Sequence, residues 1–191
     1  MSTEMNIEKQ KSHPYQFYLW GGLGSIVMMF AGLTSAYIVK KGQANWLDFD
    51  LPNIFVVSTV VILLSSFTMQ MAVKKSREQN ENQYRGFIAV TAIFGVLFIL
   101  LQIQGFATLE ASSIALTGVR SNSAASFLFV ITGLHLLHVA GGVIALIWAS
   151  LKAFKAKNNA NNDLSIKLIS NYWHFVDILW VYLFVFLHWV G

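Results

Sequence analysis

The residues able to do chemistry in this chain are few and grouped. His135 and His138 lie in one long apolar run, and His174, Asp177 and His188 in the next; the three apolar runs before them contain no ionisable side chain. Ionisable groups in such surroundings are costly and mark functional hypotheses. Haem ligation needs two axial ligands facing one iron at nearly equal depth. At 1.5 Å of rise per residue, His138 lies roughly 20 Å from the inner end of its run and His174 only about 12 Å from the inner end of its own. His188 falls near the opposite surface, and His135 and His138 share one helix at i, i+3, so they cannot clamp an iron from both sides. Copper or zinc held by His135, His138 and Asp177 is a second possibility, since three N/O ligands can make a catalytic metal site. Polar groups on adjacent membrane helices more often hydrogen-bond one another. Asp177 and His138 agree in depth to within roughly 5 Å, and His174 sits one turn below Asp177 on the same face. The favoured reading is a structural polar latch of His135, His138, His174 and Asp177. A proton relay built on one carboxylate would be short. No catalytic, cofactor-binding or metal residues are assigned.

Other chemistries lack their residues. There is no Walker loop, dinucleotide fingerprint, Ser-His-Asp set or HExxH. The absence of cysteine removes thiolate metal sites and iron–sulfur clusters.

The elements that position these residues follow from composition. Of 191 residues, 55% are hydrophobic and 12% charged, with mean hydropathy +0.57. A soluble domain averages about 25% charged residues, so this chain has too little polar surface to wet a globule. Five runs are long enough to cross a bilayer, which needs roughly 20 apolar residues: 15–39, 53–73, 86–107, 124–154 and 166–189. None alternates as a membrane strand would. The expected fold is all-α, a polytopic bundle of five transmembrane helices occupying 15–191 behind a polar tail, 1–14, that has no signal-peptide pattern. Spans two and three look too uniformly apolar for a transporter.

The net charge of +4 points to membrane orientation rather than nucleic acid, because the cations sit between the spans. The tail, the 74–85 segment and the 152–167 segment hold Lys9, Lys11, Lys74, Lys75, Arg77, Arg85, Lys152, Lys155, Lys157 and Lys167. The other side holds Lys40, Lys41 and Arg120. This asymmetry predicts the amino terminus inside and the carboxyl terminus outside, and Trp46 and Trp189 fall near the outer ends. Small residues allow close helix approach. Gly141, Ala145 and Ala149 recur at every fourth position in span four; Gly133 and Gly142 flank the two histidines. Span one has Gly21, Gly22 and Gly24, then Ala31, Gly32 and Ala36.

The segment Thr132-Gly133-Leu134-His135-Leu136-Leu137-His138-Val139-Ala140-Gly141-Gly142 resembles the TGxHxxHVxxG signature of subunit III of the haem–copper oxidases. Tyr172-Trp173-His174-Phe175-Val176-Asp177-Ile178-Leu179-Trp180 is similar to the YWHFVDxxW signature of that subunit's last helix. The similarity extends over all five spans, 15–190, and matches the short five-helix form. It implies an accessory subunit of a bacterial-type respiratory oxidase, foremost a cytochrome c oxidase, in the cytoplasmic membrane. Its partners would be subunit I, subunit II and membrane lipids, within a larger supercomplex in some settings. The resemblance implies no haem or copper on this chain, both residing in partner subunits, with structural phospholipid in the bundle and a role in sustaining proton uptake.

Two departures bear on that role. Ser25-Ile26 stands where the family commonly has Ser-Glu, and Gln102-Ile103-Gln104-Gly105-Phe106 has glycine in place of a second acidic residue. Proposals that use those carboxylates do not transfer here. Related branches serve quinol oxidases and nitric oxide reductases, and these stay open beside a haem-binding anchor.

Overall fold

The computed structural model describes residues 2–42, 51–111, 123–155 and 163–190, and the side chains among them other than those of 2–14, 155, 163 and 164. Trp46, Arg120 and Lys157 lie outside the described residues. The described residues contain five helices: α1 (Ser2–Lys41), α2 (Ile54–Arg77), α3 (Glu81–Ala111), α4 (Ser123–Lys155) and α5 (Asp163–Val190). Each is long and apolar enough to cross a membrane, and the described residues contain no strand. This is the all-α, five-span architecture expected. The helices outrun the apolar windows, since α1 continues through the polar segment from Ser2.

The polar connection expected at 74–85 is mostly helix, and only 78–80 turn the chain. The amides of Glu78, Gln79 and Asn80 donate to the carbonyls of Lys74, Ser76 and Lys75, closing the end of α2. Gln79 takes a left-handed φ of 57°, where glycine is the usual choice. The Asn80 side-chain oxygen then accepts from the Gln83 amide at 3.3 Å and caps α3. Lys75 pairs with Glu78 at 2.7 Å, which holds the exposed Glu78 carboxyl below its ordinary range.

Helices α2 to α5 form a ring in chain order, with α5 closing back on α2. Helix α1 lies outside it and, among the described residues, touches only α4 and α5. It runs parallel to α5: Thr34 meets Tyr182 at 3.2 Å, Tyr37 meets Phe186 with ring centroids 5.5 Å apart, and Lys41 Nζ donates to the Val190 carbonyl. That last contact satisfies a carbonyl at the end of α5 that has no partner within the helix.

Large apolar side chains cover the outside, among them Phe17, Met28, Phe67, Leu137, Ile144 and Ile178. The centre holds aromatic side chains and the polar ones. Trp173, Trp180, Phe98, Ser58, Ser65, Thr91, His135 and Asp177 are all buried. A soluble protein carries fewer large apolar side chains outside and fewer polar ones within.

Candidate functional site

The stripe of α5 that faces the ring carries Trp173, Asp177 and Trp180, at i, i+4 and i+7. Trp173 lies where three helices meet. A Cβ added at Gly95 of α3 would stand 2.7 Å from its ring, and one at Gly142 of α4 would stand 3.0 Å from it. Its indole N–H donates to Ser65 Oγ of α2 at 3.0 Å. The residue is fully buried, so the two glycines supply the space for a ring that a methyl group would fill. Tyr172, beside it, donates its hydroxyl to the His138 carbonyl at 3.0 Å and rests its ring against Gly142. The two sequence motifs are therefore one contact: the Gly141-Gly142 pair of α4 is the platform for Tyr172-Trp173 of α5.

Trp180 repeats the arrangement two turns further along. Its N–H donates to Thr59 Oγ1 at 2.9 Å, and its ring meets Phe98 at 5.1 Å and stacks on His135 at 5.2 Å. His135 is fully enclosed, edge-on to Phe30 of α1 and Phe98 of α3.

Of the four expected latch residues, His135 and His138 lie on α4 and His174 and Asp177 on α5, and the bonds differ from those expected. His138 turns its Nδ1 to its own helix, 2.7 Å from the Leu134 carbonyl, and packs its ring on Phe30. It makes no hydrogen bond to Asp177. His174 reaches α2 instead, where its Nδ1 lies 2.7 Å from Ser66 Oγ. Asp177 and His135 are buried with no hydrogen-bond partner on their polar atoms among the described residues. The reason is geometric. The inward stripe of α5 points at the centre of the ring, where α2 is as near as α4. His188 is exposed and stacks on Phe184.

The expected small-residue stripe divides. Gly142 and Ala149 are buried, Ala145 is half-buried, and Gly141 is exposed with Tyr172 as its neighbour. A Cβ at Gly133, Gly21, Gly22, Gly24 or Gly32 would meet nothing within 4 Å, so these positions face away from the bundle. Gly105, where an acid was noted as missing, seats the Phe55 ring, 3.0 Å from its would-be Cβ.

Sequence reasoning missed the hydroxyls of α2. Ser65 serves Trp173, Ser66 serves His174, Thr59 serves Trp180, Ser58 accepts from Gln102 Nε2 at 2.9 Å, and Thr68 meets Thr91 at 2.9 Å. The signal was present. Ser58-Thr59 and Ser65-Ser66 are seven residues apart, matching the spacing of Trp173 and Trp180.

Among the described residues, no three His, Cys, Asp or Glu side chains gather as a metal-binding group. What the site offers is inter-helix hydrogen bonding and ring packing. The cytochrome c oxidase subunit III family model matches residues 44–191, which takes in all of α2 to α5. The chain belongs to the cytochrome c oxidase subunit III family. A probable cytochrome c oxidase subunit 3 of Mycobacterium tuberculosis is 32% identical over 174 residues, covering 88% of this chain and 84% of the relative. The cytochrome c oxidase subunit 3 of Thermostichus vulcanus is 28% identical over 199 residues, covering 97% and 93%. A probable quinol oxidase subunit 3 of Staphylococcus saprophyticus is 24% identical over 200 residues, covering 100% and 98%. The chain is a terminal-oxidase subunit III and an integral membrane protein.

Proposed function

We propose that this chain is a non-catalytic scaffold of a cytochrome c oxidase, seated in the bacterial cytoplasmic membrane beside subunits I and II. In this reading the haem and copper belong to those partners. The chain stabilises subunit I, binds phospholipid and supports proton uptake while oxygen is reduced to water. Its amino terminus lies inside and its carboxyl terminus outside, on the Lys/Arg asymmetry.

One observation supports the scaffold role above all: several buried or half-buried polar side chains of the spans serve neighbouring helices. Ser65, Ser66 and Thr59 tie α2 to α5, while Tyr172 ties α5 to α4. His135, His138, His174 and Asp177 remain the latch, with His174 anchored on Ser66. Replacing Asp177 by Asn should then lower the yield of assembled oxidase while leaving oxygen consumption per assembled complex within about twofold. Normal yield with selectively lost proton pumping would count against the latch. The quinol oxidase relative keeps a second donor open, and the subunit II that accompanies the chain decides it.

A further inference from the structure

Among the described residues, two buried ionisable side chains of the spans have no hydrogen-bond partner on any polar atom, and they are neighbours in depth. Asp177 lies midway between two tryptophans of its own stripe, each touching α2 and α3 as well as α4. It therefore points into the middle of the ring and is 2% exposed. Neither of its oxygens has a hydrogen-bond partner among the described residues. Ser66 lies beside it, but the Ser66 hydroxyl is already engaged by His174 at 2.7 Å. His135 is 0% exposed, and both its ring nitrogens are likewise without partners. Its ring is pinned flat against Trp180 and edge-on to Phe30 and Phe98, so it cannot swing to find one.

Trp180 relates the depths of the two. His135 stacks on the Trp180 ring, and Asp177 precedes Trp180 by three residues, about 4.5 Å along the axis. The two unpaired groups thus lie within one helical turn of each other in depth, and no hydrogen bond joins them directly. Buried groups left unpaired are destabilising, and internal waters typically make about three bonds to such groups. We propose that Asp177 and His135 bind one internal water molecule between them, which joins α4 to α5 at the centre of the bundle. A water can donate to the carboxyl oxygen and either donate to or accept from the imidazole, so it satisfies both with the rings left in place. An apolar filler would satisfy neither.

The inference rests on the latch reading and gives it a mechanism, yet it can fail separately. The direct test is a cryo-electron microscopy map of the unmodified chain, purified with the subunits that accompany it, at a resolution that shows ordered water. A peak within hydrogen-bonding distance of both an Asp177 oxygen and a His135 nitrogen is expected. A dry contact between the two side chains, or a Ser66 hydroxyl turned onto Asp177 with no peak, would overturn the proposal. Half-lives at raised temperature supply the second test. His135→Phe and Asp177→Leu should each shorten the half-life about fivefold, and the double variant should be no worse than the poorer single. A double variant whose loss is the product of the two singles overturns the bridge. Poor assembly of Asp177→Asn together with a dry map would retain the latch and discard the water.

Discussion

Trp173 is held from three directions: by Gly95, by Gly142 and by the Ser65 hydroxyl. At Gly95 a methyl group would sit 2.7 Å from both the Trp173 ring and a Val143 methyl, with rigid or crowded atoms on both sides. Overpacking of this kind destabilises by about 1–3 kcal/mol. Gly95→Ala should therefore lower the thermal midpoint of the purified complex, whereas Gly133→Ala, with nothing within 4 Å, should leave it unchanged. Equal effects of the two would show that the glycines are not graded by Trp173. At this scale the sequence disclosed the participants better than their bonds. His135, His138, His174 and Asp177 stand out because ionisable groups are rare in apolar runs. Which partner each takes depends on side-chain direction, and spacing along one helix does not determine that.

Helix α2 looks featureless in hydropathy because the five hydroxyls of its apolar run, 53–73, scarcely lower its average. Its Ser and Thr side chains nevertheless supply acceptors for the two indole N–H groups of α5. A buried indole N–H needs such a partner. Two tryptophans seven residues apart on one span are met by acceptors six residues apart on another, Ser65 and Thr59. Ser65→Ala should destabilise the bundle by about 1 kcal/mol, because it leaves the Trp173 N–H unpaired. Differential scanning of the purified complex checks this, and Ser25→Ala serves as comparison, since the Ser25 hydroxyl bonds only to the Gly22 carbonyl of its own exposed helix face. Span number and type were legible because the bilayer fixes element length. Helix ends were less so: the 78–80 turn relies on Gln79 in a left-handed conformation, and the sequence places no glycine there to announce it.

For the whole molecule, α1 is a separate strut. It is bound to α4 and α5 through Phe30, Thr34, Tyr37 and Lys41, and it stands clear of α2 and α3. The same helix helps enclose His135, so the bundle interior is complete only with α1 in place. The chain's lack of cysteine makes its orientation easy to test. A single cysteine at Gly42, at the end of α1, should react with a membrane-impermeant maleimide on intact cells, and one at Asn82, beside the α2–α3 turn, should react only after the cells are opened. The opposite pattern would reverse the assignment drawn from the Lys/Arg asymmetry.

The measurement that tests the central claim most directly is affinity purification of the tagged full-length chain from native membranes in mild detergent. Partners would be identified by mass spectrometry, with the spectrum of the eluate recorded. The account predicts a stoichiometric haem–copper subunit I with its subunit II, and haem absorbance that follows those subunits. Recovery of the chain alone, or with the catalytic subunit of a nitric oxide reductase, would contradict it.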